Sequence, residues 1–599
     1  MRVLLKEHTQ GMTSGESVGR RVLALAVGTM VVAAWASAPV ATAGEWPVYG
    51  RDLANSRSAG TDGPSREDAA KLAPAWKFSD PDGDFTGTPV VAGGLVVAGS
   101  FAGHVHALDA KTGKEVWSAD AGGPVNGSAA IDLDAPDGGA VYVPVAIVGA
   151  PRLVALSLRD GSPRWSAVLT EQDGASCYGS PTFWDGTVYM GTSGPNGDDS
   201  TARGSVVALD AKTGALRWRT FTVPPDHDGG PVWSTPAIDT ATGRLYVGTG
   251  NAYHGEAADT TDAILSLDTR TGAILGHYAA VADDSFAPDN PAGPDADFGA
   301  SPNLFDGPDG RRLVGEGAKT GTYYALDRLA MTPAWQTLAG PGSAAGGIIG
   351  STAYDGARIY GNDALNGEVW SLGRDGKKLW SSSDSGPADF GPVAVGNGVL
   401  YTTDPQGNLN ARDVNTGAVL KRAALGATTW GGISVSGGGV FVAMGMGPLF
   451  DPAPQKTQPG AIIAFGDPAR LGAPDAARPP AAAPPAPPAS APAPPTQPPG
   501  GKGRRARIRL SVTPHRVRAG HRVRFRFRTR VNGRPVGNVL IYFANRRAHS
   551  DARGRATITV RLRPGRYSAR GVDLKGRDLL QGRTRVPVRV TRRRAAPRP

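Results

Sequence analysis

The chain has 599 residues, and its 64 Lys plus Arg against 53 Asp plus Glu give a formal net charge of +11. That total hides a split: from Gly501 onward 30 basic residues face three acidic ones, or +27, so the first 500 residues carry −16. A nucleic-acid binder along its whole length is excluded, because most of the chain would repel phosphate; 83 Gly and 50 Pro with 7% aromatics favour a turn-rich β protein over a helical one.

Arg20 and Arg21 precede the apolar run Val22 to Trp35, and Ala41-Thr42-Ala43 has the small-x-small pattern of a signal-peptidase site. Residues 1–43 therefore read as a signal peptide, with Met12 available as a start that gives normal length. Arg20-Arg21-Val22-Leu23 suits either twin-arginine export or a simple basic n-region. No other segment approaches the ~20 apolar residues of a membrane span. The mature protein is expected to be secreted or envelope-associated, outside the cytoplasmic membrane and without a transmembrane helix.

Repeats organise residues 44–467. Ala107-Leu108-Asp109-Ala110-Lys111-Thr112-Gly113, ending at Trp117, recurs as Ala208-Leu209-Asp210-Ala211-Lys212-Thr213-Gly214, ending at Trp218. Weaker copies run from Ala155 to Trp165, Ser266 to Gly276, Ala325 to Trp335, Ser371 to Trp380 and Ala411 to Lys421, a spacing of 41 to 59 residues between the Trp positions. Apolar runs such as Leu95-Val96-Val97-Ala98 make strands, Asp-x-x-Thr-Gly makes the tight turn, and the Trp covers the gap to the next unit. Four-stranded units at this period predict a β-propeller. Seven units are complete; an eighth runs from Gly431 to Phe465 and lacks one strand, which the segment Leu72 to Phe78 can supply from the other end, closing an eight-bladed ring. Three local features carry no site on this reading. Asp80-Pro81-Asp82-Gly83-Asp84 is a turn, because Val91 stands where a calcium loop needs Glu; His104 and His106 face one side of a strand without metal-ligand spacing; and Cys177, the single cysteine, is a small buried apolar group.

The Ala-Leu-Asp-x-x-Thr-Gly-x-x-x-Trp repeat, with Trp46-Pro47-Val48-Tyr49-Gly50-Arg51-Asp52, Asn55 and Arg57, resembles the quinoprotein alcohol dehydrogenases, the propellers that hold pyrroloquinoline quinone (PQQ), and especially their polyvinyl-alcohol-dehydrogenase-like branch. The resemblance implies oxidation of a small or polymeric alcohol with PQQ and Ca2+. It implies that Trp233, in Gly229-Gly230-Pro231-Val232-Trp233, is the floor under the quinone, and that Asn251, in Gly248-Thr249-Gly250-Asn251, is a metal ligand. In Asp295-Ala296-Asp297 it implies a general base at Asp295 and a metal ligand at Asp297, and it implies that Lys319 contacts the quinone oxygens. The bland readings are a blade-packing Trp233, a turn at Asn251 and a solvated acidic loop that includes Asp283, Asp284 and Asp289. Three departures stand out. Asn196 occupies the position of the family's metal-binding Glu, adjacent cysteines are absent, and Gly127 in Val125-Asn126-Gly127-Ser128 replaces the Arg that pairs with PQQ carboxylates. The same repeat also builds non-catalytic propellers, so the second reading is a cofactor-free scaffold of the cell envelope.

Residues 468–503 read as an Ala/Pro-rich linker, with 12 prolines among the 28 residues from Ala473 to Gly500. Residues 504–599 alternate Arg with apolar residues, as in Val523-Arg524-Phe525-Arg526-Phe527-Arg528, which puts the guanidinium groups on one sheet face. The stretch resembles small bacterial immunoglobulin-like β-sandwiches. Its face suits anionic wall polymers or lipid headgroups, the alternative being a solvated basic surface. It lacks the interleaved exposed aromatics expected for nucleic acid, which also suits the exported location poorly.

Overall fold

The turns close as their residues require. In the first repeat the Asp109 carboxylate accepts from the Thr112 amide and hydroxyl at 2.8 and 2.7 Å, and Gly113 supplies the left-handed φ of +69°. Each turn joins strands that pair antiparallel, and in the computed structural model the repeats become eight four-stranded sheets. It describes residues 44–81, 83–194, 200–281, 284, 286, 295–342, 346–383, 390–446, 460–467, 471 and, with short gaps, 506–591. The chain divides into two units between Asp475 and Ala476. It is all-β, with one helix of four residues, Arg66–Ala69, among the described residues. No helix among them is long and apolar enough to cross a membrane.

Blades 1 to 7 span 90–120, 130–168, 182–221, 237–279, 303–338, 353–382 and 394–424, each with its strands in chain order. Blade 8 takes three strands from 433–465 and its outermost one, Pro74–Asp80, from the N-terminal side, pairing with Gly460–Phe465 as the sequence predicts. The innermost strands of blades 1 and 8 touch, closing the ring. Second strands such as Ala140–Val145, Thr187–Thr192 and Val399–Asp404 are buried at every residue. A strand inside a blade is covered on both faces by neighbouring blades, so successive residues are buried whatever their polarity, Thr402, Thr403 and Asp404 included.

Neighbouring blades are fastened by tryptophan. The indole N–H groups of Trp76, Trp117, Trp165, Trp218, Trp335 and Trp380 donate to the carbonyls of Ala110, Leu158, Ala211, Thr269, Arg374 and Val414 in the following blade, at 2.9–3.0 Å. A Cβ at Gly113 would lie 2.5 Å from the Trp76 ring, so the turn glycine is fixed by this contact as well as by its φ. Between blades 4 and 5 the Trp position is Gly276, and the Met331 side chain fills the space.

The segment before blade 1 threads the inside of the ring. Trp46 exchanges two backbone bonds with Val91 at 2.7 and 2.8 Å; the carbonyls of Pro47, Leu53, Ala54, Ser56 and Arg57 then accept from Ile131, Ile238, Leu304, Tyr354 and Val395 at 2.7–3.0 Å. Asp62 takes the amides of Gly437 and Gly438 in blade 8. Arg57, fully buried, donates to the carbonyls of Val393, Tyr49 and Ile433 at 2.6, 2.7 and 2.8 Å, and its guanidinium lies 4.7 Å from the Tyr49 ring centroid. Burial pulls its pKa down to about 10, which leaves it charged.

Glu316, on Arg312–Gly317 of blade 5, is a buried acid of the opposite kind. It is fully buried, neither oxygen has a hydrogen-bond partner, and burial holds its carboxyl well above 4.5. The neutral acid is therefore the folded form.

In the second unit, Arg522–Val531 pairs with Arg509–Thr513 and Arg555–Arg561, and a five-stranded sheet joins Arg516–Arg518, Gly582–Thr591, Arg566–Asp573, Val539–Phe543 and Arg546–His549. The alternation predicted from sequence is present. Phe525, Phe527 and Thr529 are buried, while Arg524, Arg526, Arg528 and Arg530 are exposed.

Two stability experiments follow. Arg57→Met takes the guanidinium donor from the Val393 and Ile433 carbonyls and leaves Tyr49 O only the Trp46 indole, and it should destabilise the propeller by about 3 kcal/mol or more, read from urea midpoints. Glu316→Gln keeps the shape and removes the proton site. A folded pKa above the unfolded one means that the wild type loses stability as pH rises above about 4.5. The variant's advantage should therefore grow by up to about 1.4 kcal/mol per pH unit between pH 5 and 7.5, and a constant difference would contradict the neutral acid.

Candidate active site

In a four-stranded meander the loop between the second and third strands and the connection to the next blade fall at the same end. At the junction of blades 4 and 5, that rule gathers residues from three segments: 249–262, 280–302 and 318–321. Asn251 and Asp262 come from the first, Asp284, Asp295 and Asp297 from the second, and Lys319 from the third. Backbone bonds clamp the three together, Phe298 N to Thr249 O at 3.1 Å and Lys319 N to Asp297 O at 2.9 Å.

The Lys319 ammonium lies 2.8 and 2.9 Å from the two Asp295 oxygens and 2.6 Å from Asp297 Oδ2. Asp297 Oδ1 accepts the Asn251 amide at 2.7 Å. Asp295 and Asp297 are 3% and 5% exposed, which rules out a solvated loop for this pair. Burial, reinforced by Asp297 and opposed by Lys319, pushes the Asp295 carboxyl up to about 7. Burial alone would lower the Lys319 pKa, but Asp297 and Asp295 hold it above its usual value. Asp295 and Asp262 also sit at left-handed φ of +55° and +47°, rare for residues other than glycine and a mark of a backbone held by its surroundings.

Trp233 is half-buried and, unlike the blade-joining indoles, lines a cavity of about 140 Å³. The Lys319 ammonium stands 5.6 Å from its ring centroid. Tyr49 of the threading segment lines the same cavity, together with Asn126, Gly127, Ser128, Ser180, Thr235 and Ser301. Those hydroxyls form a belt from blade to blade. Ser128 Oγ accepts from Thr88 N, Ser180 Oγ from Ser128 N, Thr235 Oγ1 from Ser180 N and Ser301 Oγ from Thr235 N, at 2.7–3.2 Å. A Cβ at Gly127 would fall 2.4 Å from the Gly179 carbonyl oxygen, so the backbone here leaves no room for the arginine that the family resemblance would place.

The structure thus brings together Trp233, Asn251, Asp295, Asp297 and Lys319; Asn196, Asp283 and Asp289 lie outside the described residues. It adds two carboxylates. Asp284 accepts the amides of Phe286 and Ala296 at 3.1 and 2.8 Å. Asp262 is fully buried with both oxygens unpartnered, and burial plus Asp297, Asp284 and Asp295 hold its carboxyl well above 3.8. Nothing local marks Asp262 in the sequence; its setting comes from the loop's return path. Cys177 is buried, its thiol pushed up to about 12, as expected of a small apolar group.

Comparison with known proteins gives consistent matches. The family described as "Outer membrane protein assembly factor BamB" matches residues 67–197 and 365–450, and the family described as "Glucose/ethanol/alcohol dehydrogenase, beta-propeller domain" matches residues 168–345. The polyvinylalcohol dehydrogenase of Sphingopyxis sp. (strain 113P3) is 29% identical over 474 residues, 67% of this chain and 72% of that protein. The dehydrogenase subunit of the quinone alcohol dehydrogenase of Gluconobacter oxydans (strain 621H) is 30% identical over 285 residues, 39% and 37% of the two chains. The crystal structure of quinohemoprotein alcohol dehydrogenase from Comamonas testosteroni superposes with a TM-score of 0.60 at 20% identity, over 74% of this chain and 82% of that one, a likeness of fold. With its docking-Trp repeat, its eight-sheet ring and these relatives, the chain belongs to the PQQ-dependent, quinoprotein alcohol dehydrogenase family of β-propellers.

Proposed function

We propose that the propeller oxidises an alcohol, polymeric alcohols included, with PQQ as hydride acceptor and Ca2+ beside it. The observation that carries this reading is the buried Asp295 carboxyl, pushed up to about 7 next to Lys319, Asp297 and the Trp233 ring. A base must be available near neutral pH and close to the reacting carbon, and a carboxyl with this pKa meets the first condition.

The residues present fit a hard divalent cation. Asp295 and Asp297 bond the Lys319 ammonium, Asp262 feels the charge of Asp284, Asp295 and Asp297, and both Asp262 oxygens lack a partner. Asn251 and Asp297 would hold the cation, with Asn196 as a third candidate, and Trp233 and Lys319 would hold the quinone. Without an arginine at Gly127, the quinone carboxylates would rest on neutral groups such as Asn126 and Ser128. When bound, the quinone supplies the hydride acceptor and the cation polarises its carbonyl. Asp295 removes the substrate hydroxyl proton as the hydride leaves. Lys319, bonded to both Asp295 oxygens, fixes the base in place and opposes the upward push of burial, so the carboxylate stays accessible near pH 7.

The second reading, a cofactor-free envelope scaffold, is favoured by the lack of room for an arginine at Gly127, where a Cβ would fall 2.4 Å from the Gly179 carbonyl oxygen. One experiment separates them. The purified chain is titrated with PQQ and Ca2+, and alcohol-dependent dye reduction is followed against pH. The rate should rise with pH as Asp295 loses its proton, below about pH 7 once the cation is bound, and Asp295→Asn should lower kcat about 10²-fold or more without loss of PQQ binding. Absence of both binding and turnover would leave the scaffold.

We further read residues 1–43 as an export signal and the second unit as an immunoglobulin-like sandwich that holds the protein to an anionic envelope polymer. Exposed Arg528 lies across from exposed Arg555, and Arg530 from Arg509, like charges that repel unless an anion lies between them. Heparin should retain the protein at low salt, and a double Arg526→Glu, Arg528→Glu variant should elute at clearly lower salt. Equal elution of the two proteins refutes the docking role.

A further inference from the structure

Among the described residues outside the candidate active site, one cluster has the composition and spacing of a metal centre. His104 and His106 alternate on the strand His104–Asp109 of blade 1, so period-two geometry points both rings to the same face. The sequence offers no third ligand nearby, but the fold does. Asp80 ends the strand Pro74–Asp80, the N-terminal strand that completes blade 8. His106 Nε2 lies 3.4 Å from Asp80 Oδ2 and His104 Nδ1 lies 3.7 Å from the same oxygen, and one ligand atom from each of the three residues falls within 4.8 Å of the others. Tetrahedral Zn2+ with bonds of about 2.0–2.1 Å sets its ligand atoms about 3.4 Å apart, close to these separations.

The proton on His106 sharpens the case. Its Nδ1 is 2.7 Å from Glu115 Oε2, a carboxylate oxygen that can only accept, so Nδ1 carries the hydrogen. In the neutral ring Nε2 then presents its lone pair to Asp80 Oδ2, and two acceptors face each other at 3.4 Å. A cation between them resolves that arrangement, and a carboxylate that orients the outer nitrogen of a ligating histidine is the usual support of a zinc site. His106 and Asp80 are nearly buried, while the His104 side chain is 49% exposed and leaves a route from solvent.

We propose that Asp80, His104 and His106 bind a divalent transition metal of the Zn2+ type, with solvent as fourth ligand and Glu115 as the group that orients His106. The centre is independent of the proposed active site. It joins blade 1 to the strand that completes blade 8, so the ion pins the seam where the two ends of the propeller meet.

The test uses the full chain stripped with a chelator. Calorimetric titration with ZnCl2 should give one saturable equivalent that is lost in the variants, and CoCl2 should develop the visible absorption of a tetrahedral site. ZnCl2 should raise Tm by about 2 °C or more, because an ion that binds only the folded state stabilises it. His104→Ala, at a half-exposed position that folding does not need, should weaken Zn2+ binding at least tenfold and remove the Tm rise. His106→Gln should do the same, and Glu115→Gln should weaken binding about tenfold or more through the lost orientation. No saturable binding, or binding and Tm rise unchanged in both His104→Ala and His106→Gln, overturns the proposal; the cluster is then an imidazolium held between Asp80 and Glu115.

Discussion

A ring of separate sheets leaves an unpaired edge on each innermost strand, and these edges converge on the axis. Buried backbone groups without partners are costly, so a propeller needs something to bond to them. Here the threading segment does so: between Trp46 and Asp62 it bonds to seven of the eight blades, giving carbonyls to some and a carboxylate to another. Arg57 completes this at the seam, where its three carbonyl acceptors belong to the approach to blade 7, to blade 8 and to the threading segment itself. A cation buried without a carboxylate partner is tolerable because these oxygens and the Tyr49 and Trp46 rings replace its water.

The candidate site depends on that frame. Its residues lie on loops, and loops position side chains only as well as the elements beneath them are fixed. Tyr49 of the threading segment and Trp233 line one cavity, so the segment that seals the inner edges also forms part of the chamber next to the site. The junction of blades 4 and 5, where the carboxylates gather, is also one where Gly276 replaces the docking tryptophan. With no indole fastening the outer strands there, the interloop bonds at Phe298 and Lys319 and the ion pairs around Lys319 hold the site end of this junction.

The ring was legible because its rules are local. Turn, glycine and tryptophan recur within one repeat, and the missing eighth strand showed itself as a deficit at one end and a surplus at the other. Trp233, Asn251, Asp295, Asp297 and Lys319 were legible through family resemblance. Asp262 and Glu316 were not, because their unusual settings arise from packing between segments and from a neighbouring blade. His104 and His106 showed no ligand spacing in the sequence, and the proposed Asp80–His104–His106 cluster was not visible there. Its third member is 24 residues away on a strand that belongs to another blade, a proximity created by ring closure alone. The hydroxyl belt of Ser128, Ser180, Thr235 and Ser301 was not read from the sequence, because its members meet only when the blades are set side by side.

The distribution of charge ties these features together. The first 500 residues are acidic by 16 charges, and part of that surplus is buried at one junction, where Asp262 and Asp284 stand near Asp295 and Asp297, the two carboxylates paired with Lys319. Like charges this close cannot all ionise in a dry site, so protons are retained, and Asp262 and Asp295 are both held upward. A divalent cation at Asn251 and Asp297 would replace those protons as the compensating charge and draw Asp295 back toward its carboxylate form, the form a base needs. In the proposed function, metal loading and base activation would be the same electrostatic event. The acidity that counts against nucleic acid in the bare sequence is, once folded, the ground on which the proposed cation rests.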